Sequence, residues 1–241
     1  MFDIIKKFIR TIPIPLSKNH AYDLQTINVI KKHCLPNSNC IDIGCHKGEI
    51  LDLILQHAPH GQHFAFEPLP DFYKNLKKKY QQYPNVKIFD IALNNNKGKT
   101  TFNYVISNPA YSGIVKRKYD RANEKDMLIE VIADFLKNIK DPPIKIDFIK
   151  IDVEGGEYQV LLGAEKTILH SKPIIIFEHG KGASDWYGTK PENIFDFFVT
   201  KNYHVATMHS WLNNGPNFTL QEFVDEFEYQ KNYYFIAFPA K

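Results

Sequence analysis

The sequence predicts a single α/β domain built on a doubly wound, mainly parallel β-sheet. Three features of the 241-residue chain carry that expectation. Short apolar runs alternate with longer amphipathic ones, the pattern of successive β–α units. A glycine-punctuated turn, Asp42-Ile43-Gly44-Cys45-His46-Lys47-Gly48, joins one apolar run to a helix. A second apolar run ends in Asp152-Val153-Glu154-Gly155-Gly156-Glu157. The length suits one domain, with enough core to need no disulfide or structural metal.

The elements follow in order. Met1, Ile5, Phe8 and Ile12 recur at helical spacing, with Lys6, Lys7 and Arg10 between them. Those basic residues break the apolar run that a signal peptide needs. Residues 1–35 are therefore expected as a helical extension, and 36–241 as the main domain. The apolar face of the extension docks on its own domain or on a second subunit; weak contact with a membrane surface is a further use. Residues 21–33 read as a helix, Cys40 to Ile43 as a strand, Ile50 to Gln56 as a helix and Gln62 to Phe66 as a strand. Pro70 to Tyr80 is the next helix and Val86 to Ile91 the third strand. Thr100 to Ile106 and Met127 to Val131 alternate as an antiparallel pair around a long polar and aromatic loop. Such a loop in a compact domain is usually functional. Asp134 to Lys140 is expected as a short helix, Ile146 to Ile151 as a central strand, and Tyr158 to Leu169 as a helix. Ile174 to Phe177 is a strand, Pro191 to Lys201 a helix with proline in its first turn. His204 to Thr207 and Tyr233 to Phe238 close the sheet.

Composition narrows the function. Thirty Lys and Arg against 27 Asp and Glu leave a net charge of +3, too little for a nucleic-acid partner. Cys34, Cys40 and Cys45 form no C-x-x-C pair, which fits a reducing, cytoplasmic setting and no zinc site.

The turn at Asp42–Gly48 limits what the sheet edge binds. A dinucleotide fingerprint needs three glycines, the middle one admitting a pyrophosphate. Here Cys45 or His46 fills that place, depending on alignment. S-adenosylmethionine (SAM) carries no phosphate and tolerates the bulkier turn. Asp42 suits its amino group, with Gly44, Cys45, His46 and Gly48 around it. Glu67, followed by Pro68, ends the second strand roughly 20 residues later, where an acid accepts ribose hydroxyls. Asp90, with Ile91 and Ala92 beside it, is placed to meet the adenine. Helix capping is the simpler alternative for Glu67, less favoured given the glycine turn before it and Pro68 after it; for Glu154 and Glu157, near the start of the helix that follows them, capping stands level with a functional role.

Taken together, these segments resemble the FkbM family of methyltransferases. The resemblance rests on Asp42–Gly48, Phe66-Glu67-Pro68, Ile149–Glu157, Leu161-Leu162-Gly163-Ala164 and Phe177-Glu178-His179. It implies a class I methyltransferase fold of seven strands, the last antiparallel, with SAM as donor. It also implies methylation of a hydroxyl on a sugar, glycan or secondary metabolite. Two departures stand out: Cys45 where the family has a small residue, and Ile132-Ala133-Asp134 where it has Thr-Leu-Asp.

A hydroxyl acceptor needs a base. Asp152, Glu178 and His179 are the candidates, His179 being the natural one near neutral pH. A lesser alternative gives Asp152, Glu178 and His179 a shared divalent cation. Ser107 to Arg121, with Tyr111, Ser112, Gly113, Lys116 and Arg117, is read as a lid. Trp186, Tyr187, His209 and Trp211 are read as pocket walls. Two competing functions are an NAD-type Rossmann enzyme and a non-catalytic SAM-binding protein.

Overall fold

A computed structural model of the chain describes residues 15, 17–118, 124–134 and 144–240. The expected helix at the extreme N-terminus lies outside them, as does all but the first residue of the helix expected at Asp134 to Lys140. Asp134 itself ends a strand.

Helix α1 (Lys18–His33) starts where the Ser17 side chain accepts a hydrogen bond from the His20 amide. Then come β1 (Cys40–Ile43), α2 (Glu49–His57), β2 (His63–Phe66), α3 (Pro70–Lys79) and β3 (Val86–Phe89). Strands β4 (Ile91–Leu93), β5 (Gly98–Val105) and β6 (Asp126–Asp134) precede β7 (Phe148–Ile151). Helices α4 (Glu157–Gly163) and α5 (Glu165–Ser171) lead to β8 (Ile174–Glu178). The chain ends with α6 (Pro191–Val199), β9 (Tyr203–Thr207), α7 (Met208–Leu212), α8 (Leu220–Glu228) and β10 (Tyr234–Pro239).

Seven strands form one sheet in the order β3-β2-β1-β7-β8-β10-β9. The expected doubly wound class I methyltransferase sheet is present: β10 alone runs antiparallel, pairing with both β8 and β9. Strand alternation sends side chains to two faces. Ile41, Ile43, Ile149, Ile151, Ile175, Phe177 and Phe235 enter one core cluster with α4 to α6 and Phe223. Cys40, Phe148, Ile174, Ile176 and Ile236 enter another with Val29 and Ile30 of α1. Asp42, Lys150, Glu178 and Tyr234 share the parity of this second set, so the face that buries α1 carries the polar strand ends.

Three boundaries differ from expectation. The run from Val86 to Ile91 divides, because Ile91–Leu93 leaves the main sheet to pair with β6 in a three-stranded sheet, β4-β6-β5. The helix expected from Tyr158 to Leu169 breaks at Ala164. A Cβ on Gly163 would lie 2.2 Å from the Asn94 carbonyl oxygen, so the helix passes directly against the end of β4. Helices α7 and α8 occupy stretches where the sequence pattern predicts no element. The antiparallel pair β5–β6 is as expected, from Gly98↔Ala133 to Val105↔Asp126.

Candidate active site

A cleft of about 780 Å³ opens at the carboxyl ends of β1, β2, β7 and β8, where open α/β sheets bind ligands. One end is built by the turn after β1. Gly44 has φ +74, and a Cβ there would lie 1.8 Å from the Asp152 carbonyl oxygen, so only glycine lets β1 and β7 approach. His46, at φ +48, directs its backbone N–H to Glu67 Oε2 at 2.8 Å. The Leu69 N–H donates to Oε1 at 3.0 Å. Burial pushes the Glu67 carboxyl up to about 7, with these two amides pulling the other way. Gly44, Cys45, His46, Glu67, Pro68, Ile91 and Ala92 all line the cleft.

Three residues assigned to this end from the sequence lie off the wall. Gly48 caps α2 in the left-handed conformation. Asp90 is exposed to solvent between β3 and β4. Asp42 stands beneath the floor, 1% exposed, paired in register with Lys150, whose Nζ is 3.9 Å from Oδ1. Its direction along a buried strand, rather than along the turn, explains the difference. Burial raises its carboxyl to about 6, and Lys150 opposes the rise.

The centre of the cleft is acidic. Asp152 Oδ2 lies 2.9 Å from Lys150 Nζ and accepts a hydrogen bond of 2.6 Å from the Tyr234 hydroxyl. Burial alone would raise this carboxyl; Lys150 and Tyr234 hold it below its ordinary value. Glu178 is pushed the other way, well up, by burial and then by Asp152. Oxygens of Asp152, Glu154 and Glu178 all lie within 4.8 Å of one another. Glu154 reaches this group from a backbone at φ +59, followed by Gly155 at φ +105. Glu157 holds that turn: its Oε1 accepts the N–H of Val153 at 3.0 Å and of Gly155 at 3.1 Å. Glu154 then pairs with Arg117 at 2.5 Å, and the guanidinium stacks 4.3 Å from the centre of the Tyr111 ring. Burial, followed by Asp152, raises the Glu154 carboxyl to about 8 against the pull of Arg117.

Arg117 brings the expected lid to the cleft. Residues 107–118 are tied down by reciprocal backbone bonds between Asn103 and Gly113 and by the Val115 N–H to the Tyr187 hydroxyl at 3.1 Å. Arg121 lies outside the described residues.

His179 is absent from this cluster. Glu178 and His179 are adjacent, so alternation sends them to opposite faces. The His179 ring is fully buried, stacked 4.8 Å from Phe227 and 5.8 Å from Phe223, with Nδ1 3.0 Å from Ser184 Oγ. Burial lowers it to about 4. The acid that completes the trio with Asp152 and Glu178 is Glu154 instead. Among the expected aromatic walls, Tyr187 lines the cleft. Trp186 faces solvent, and Trp211, on α7 together with His209, packs against Phe238 and Lys32.

Sequence reasoning gave no role to Lys150 or Tyr234. A signal existed for Lys150: a cation inside Phe148-Ile149-Lys150-Ile151 demands buried counter-charges. Nothing local marks Tyr234, which reaches Asp152 only through the Tyr234↔Glu178 pairing.

A family model described as the methyltransferase FkbM domain matches residues 42–205. The chain is 25% identical over 218 residues to the AMB antimetabolite synthetase AmbE of Pseudomonas aeruginosa, across 76% of this chain. It spans only 10% of that relative's length. It is 22% identical over 185 residues to the 2-O-methyltransferase NoeI of Sinorhizobium fredii, covering 70% of this chain and 72% of NoeI. Among solved structures, methyltransferase FkbM of Methylobacillus flagellatus KT is similar at 14% identity and a TM-score of 0.47. That alignment takes in 98% of this chain and 60% of the other.

Proposed function

The chain belongs to the FkbM methyltransferase family, and from that premise we propose that it transfers a methyl group from SAM to a hydroxyl oxygen of a glycan or secondary metabolite. One observation carries the reading: a single cleft joins the turn at Gly44–His46, too bulky for a pyrophosphate, and the Glu67 carboxylate beside it to the acid cluster around Asp152.

The residues fit the cofactor. Glu67 is fixed by two backbone amides and faces the cleft, so its remaining lone pairs suit paired ribose hydroxyls. Ile91, Ala92 and Leu69 give an apolar slot for a base. When bound, SAM supplies a methyl group on a sulfonium, already activated for in-line displacement. The chain's task is then alignment and removal of one proton. Lys150 and Tyr234 both engage Asp152 Oδ2 and so orient the carboxylate that takes the hydroxyl proton. Glu178, whose carboxyl is pushed well up by burial and by Asp152, stands beside it to orient the acceptor hydroxyl. Lys150 and Arg117 already supply two positive charges among the three acids. That arrangement favours transfer without a divalent cation, and a chelator is expected to leave the activity unchanged.

Calorimetric titration with SAM, with S-adenosylhomocysteine and with NADH tests the reading. Micromolar binding of the first two, lost in Glu67→Ala, supports it. Binding of NADH alone sinks it and restores the NAD-type enzyme. SAM binding by a protein that methylates no hydroxyl in a broad acceptor screen would favour the non-catalytic alternative.

A further inference from the structure

We propose that helix α3 grips the Glu67 carboxylate from both sides, and that Tyr80, where the helix ends, is a positioning residue for the cofactor turn. The inference rests on the SAM reading above and adds to it a side chain that stands behind the turn, outside the cleft wall.

The near grip is direct. The Leu69 N–H, at the entry to α3, donates to Glu67 Oε1. The far grip works through the turn after β1. The Gly48 N–H donates to the Cys45 carbonyl at 2.7 Å, and this closed turn aims the His46 N–H at Glu67 Oε2. About 16 Å along the helix from Leu69, its last side chains reach the carbonyls of that turn. Lys79 Nζ donates to the Lys47 carbonyl at 3.1 Å and pairs with Asp52 Oδ2 at 2.7 Å. The Tyr80 hydroxyl lies 2.7 Å from the Gly48 carbonyl oxygen and 2.8 Å from Asp52 Oδ1, sharing its one proton between them. Burial, then Asp52, pushes the phenol up, so it stays a donor. A Cβ on Gly48 would run into the Tyr80 hydroxyl and the Leu76 side chain. Gly48, which lies off the cleft wall, is therefore the seat for this hydroxyl. Cys45 and Tyr80 share one small core cluster with Leu51 and Leu76, so α3 holds the turn through apolar packing as well.

The consequence is an energetic link between the end of α3 and the cofactor. A turn that binds in one conformation loses apparent affinity in proportion to the time it spends in others. This turn needs restraint, because His46 holds φ +48 without being glycine. Without the Tyr80 hydroxyl, the Gly48 carbonyl keeps the Asp52 N–H at 2.9 Å, the first bond of α2, and loses its tie to α3. Glu67 then retains the Leu69 amide, while the His46 amide is no longer fixed. One side of the carboxylate is released and the other stays held. That asymmetry separates a positioning role from a general loosening of the core.

The test uses the whole chain, with S-adenosylhomocysteine as the probe. In Tyr80→Phe, calorimetry should give about fivefold weaker binding, the worth of one hydrogen bond. Amide exchange in the free protein, followed by NMR, should be about fivefold faster at His46 and unchanged at Leu69. Tyr203→Phe is the matched control. Tyr203 is also buried, and its hydroxyl donates to the Pro173 carbonyl at 3.0 Å, where β8 and β9 begin, at the opposite end of the strands from the cleft. It should lower the melting temperature comparably and leave both readouts unchanged. If Tyr80→Phe does not fold, Lys79→Met takes its place; the Lys79–Asp52 pair is solvent-exposed, so about twofold weaker binding is expected. Unchanged affinity in the folded variant, equal acceleration at His46 and Leu69, or the same affinity loss in Tyr203→Phe would overturn the role of Tyr80 while the cofactor reading stands. Failure of the unaltered protein to bind S-adenosylhomocysteine would overturn the cofactor reading first, and the positioning role with it.

Discussion

A lysine inside a strand run such as Phe148-Ile149-Lys150-Ile151 costs several kcal/mol unless opposite charges meet it. Lys150 meets two, Asp42 in the neighbouring strand and Asp152 at its own strand's end. It follows that Lys150→Met leaves Asp42 buried and uncompensated. That variant should lose about 3 kcal/mol of stability in a denaturant titration; an unchanged midpoint would contradict the pairing. Glu67 makes a similar case for function. Glutamine in its place offers one acceptor to two backbone donors, so SAM affinity in Glu67→Gln should fall about 30-fold, near 2 kcal/mol. His179 makes a pH argument. Its folded-state pKa of about 4 lies below the ordinary 6.5. The buried neutral ring therefore contributes stability that is present above pH 6.5 and is lost as pH falls towards 4. The whole shift is worth roughly 3 kcal/mol. Asp42 and Glu67 run the other way, since raised carboxyls contribute stability at low pH that is lost as pH rises through about 6 and about 7. The His179 effect is thus read as the difference between the natural protein and His179→Gln across pH 4 to 7. A difference that stays flat would mean the ring is not held neutral.

At the scale of elements, the turns that the sequence marks with glycine are the ones the site depends on. Gly155 combines φ +105 with a Cβ position 2.5 Å from the Ala183 carbonyl oxygen; Gly182 has φ +90 but nothing within 4 Å. Gly155→Ala should therefore cost roughly 2–4 kcal/mol, by strain plus a backbone clash. Gly182→Ala should cost about 1 kcal/mol, by strain alone. Equal losses in paired thermal melts would contradict the close approach of the Glu154 turn to the loop after β8. The strand–helix alternation was readable because burial on both faces makes strands short and continuously apolar. What it could not give was membership. Val86 to Ile91 looks like one strand, yet the chain crosses at Asp90 from one sheet to another, a choice made by β6 far along the sequence. The same limit explains His179: the motif was visible, but one step along a strand changes the face.

At the scale of the whole molecule, fold completion and site completion coincide in the last strand. β10 does not extend the sheet; it enters between β8 and β9, pairing antiparallel with both. Its Phe235, Ile236 and Ala237 are fully buried. Burying Phe235 and Ile236 is worth about 2 kcal/mol each before any ladder bond is counted, against a domain stability of roughly 5–15 kcal/mol. The family-matched span of residues 42–205 omits this strand, and ends inside β9. The sequence showed a closing apolar run at Tyr233 to Phe238 but not that it inserts, because register is set by the edge of β8, not by local composition. A chain cut before Tyr233 would leave the Ile174–Glu178 edge unpaired, an apolar template for aggregation. It would also remove the Tyr234 hydroxyl from Asp152. Such a chain should elute as aggregate and show no cooperative melt, whereas Tyr234→Phe should keep the full-length melt within about 1 kcal/mol and lose methyl transfer. If the cut chain melted cooperatively near the full-length temperature, β10 would be an appendage. Asp152 would then have to be positioned by Lys150 alone.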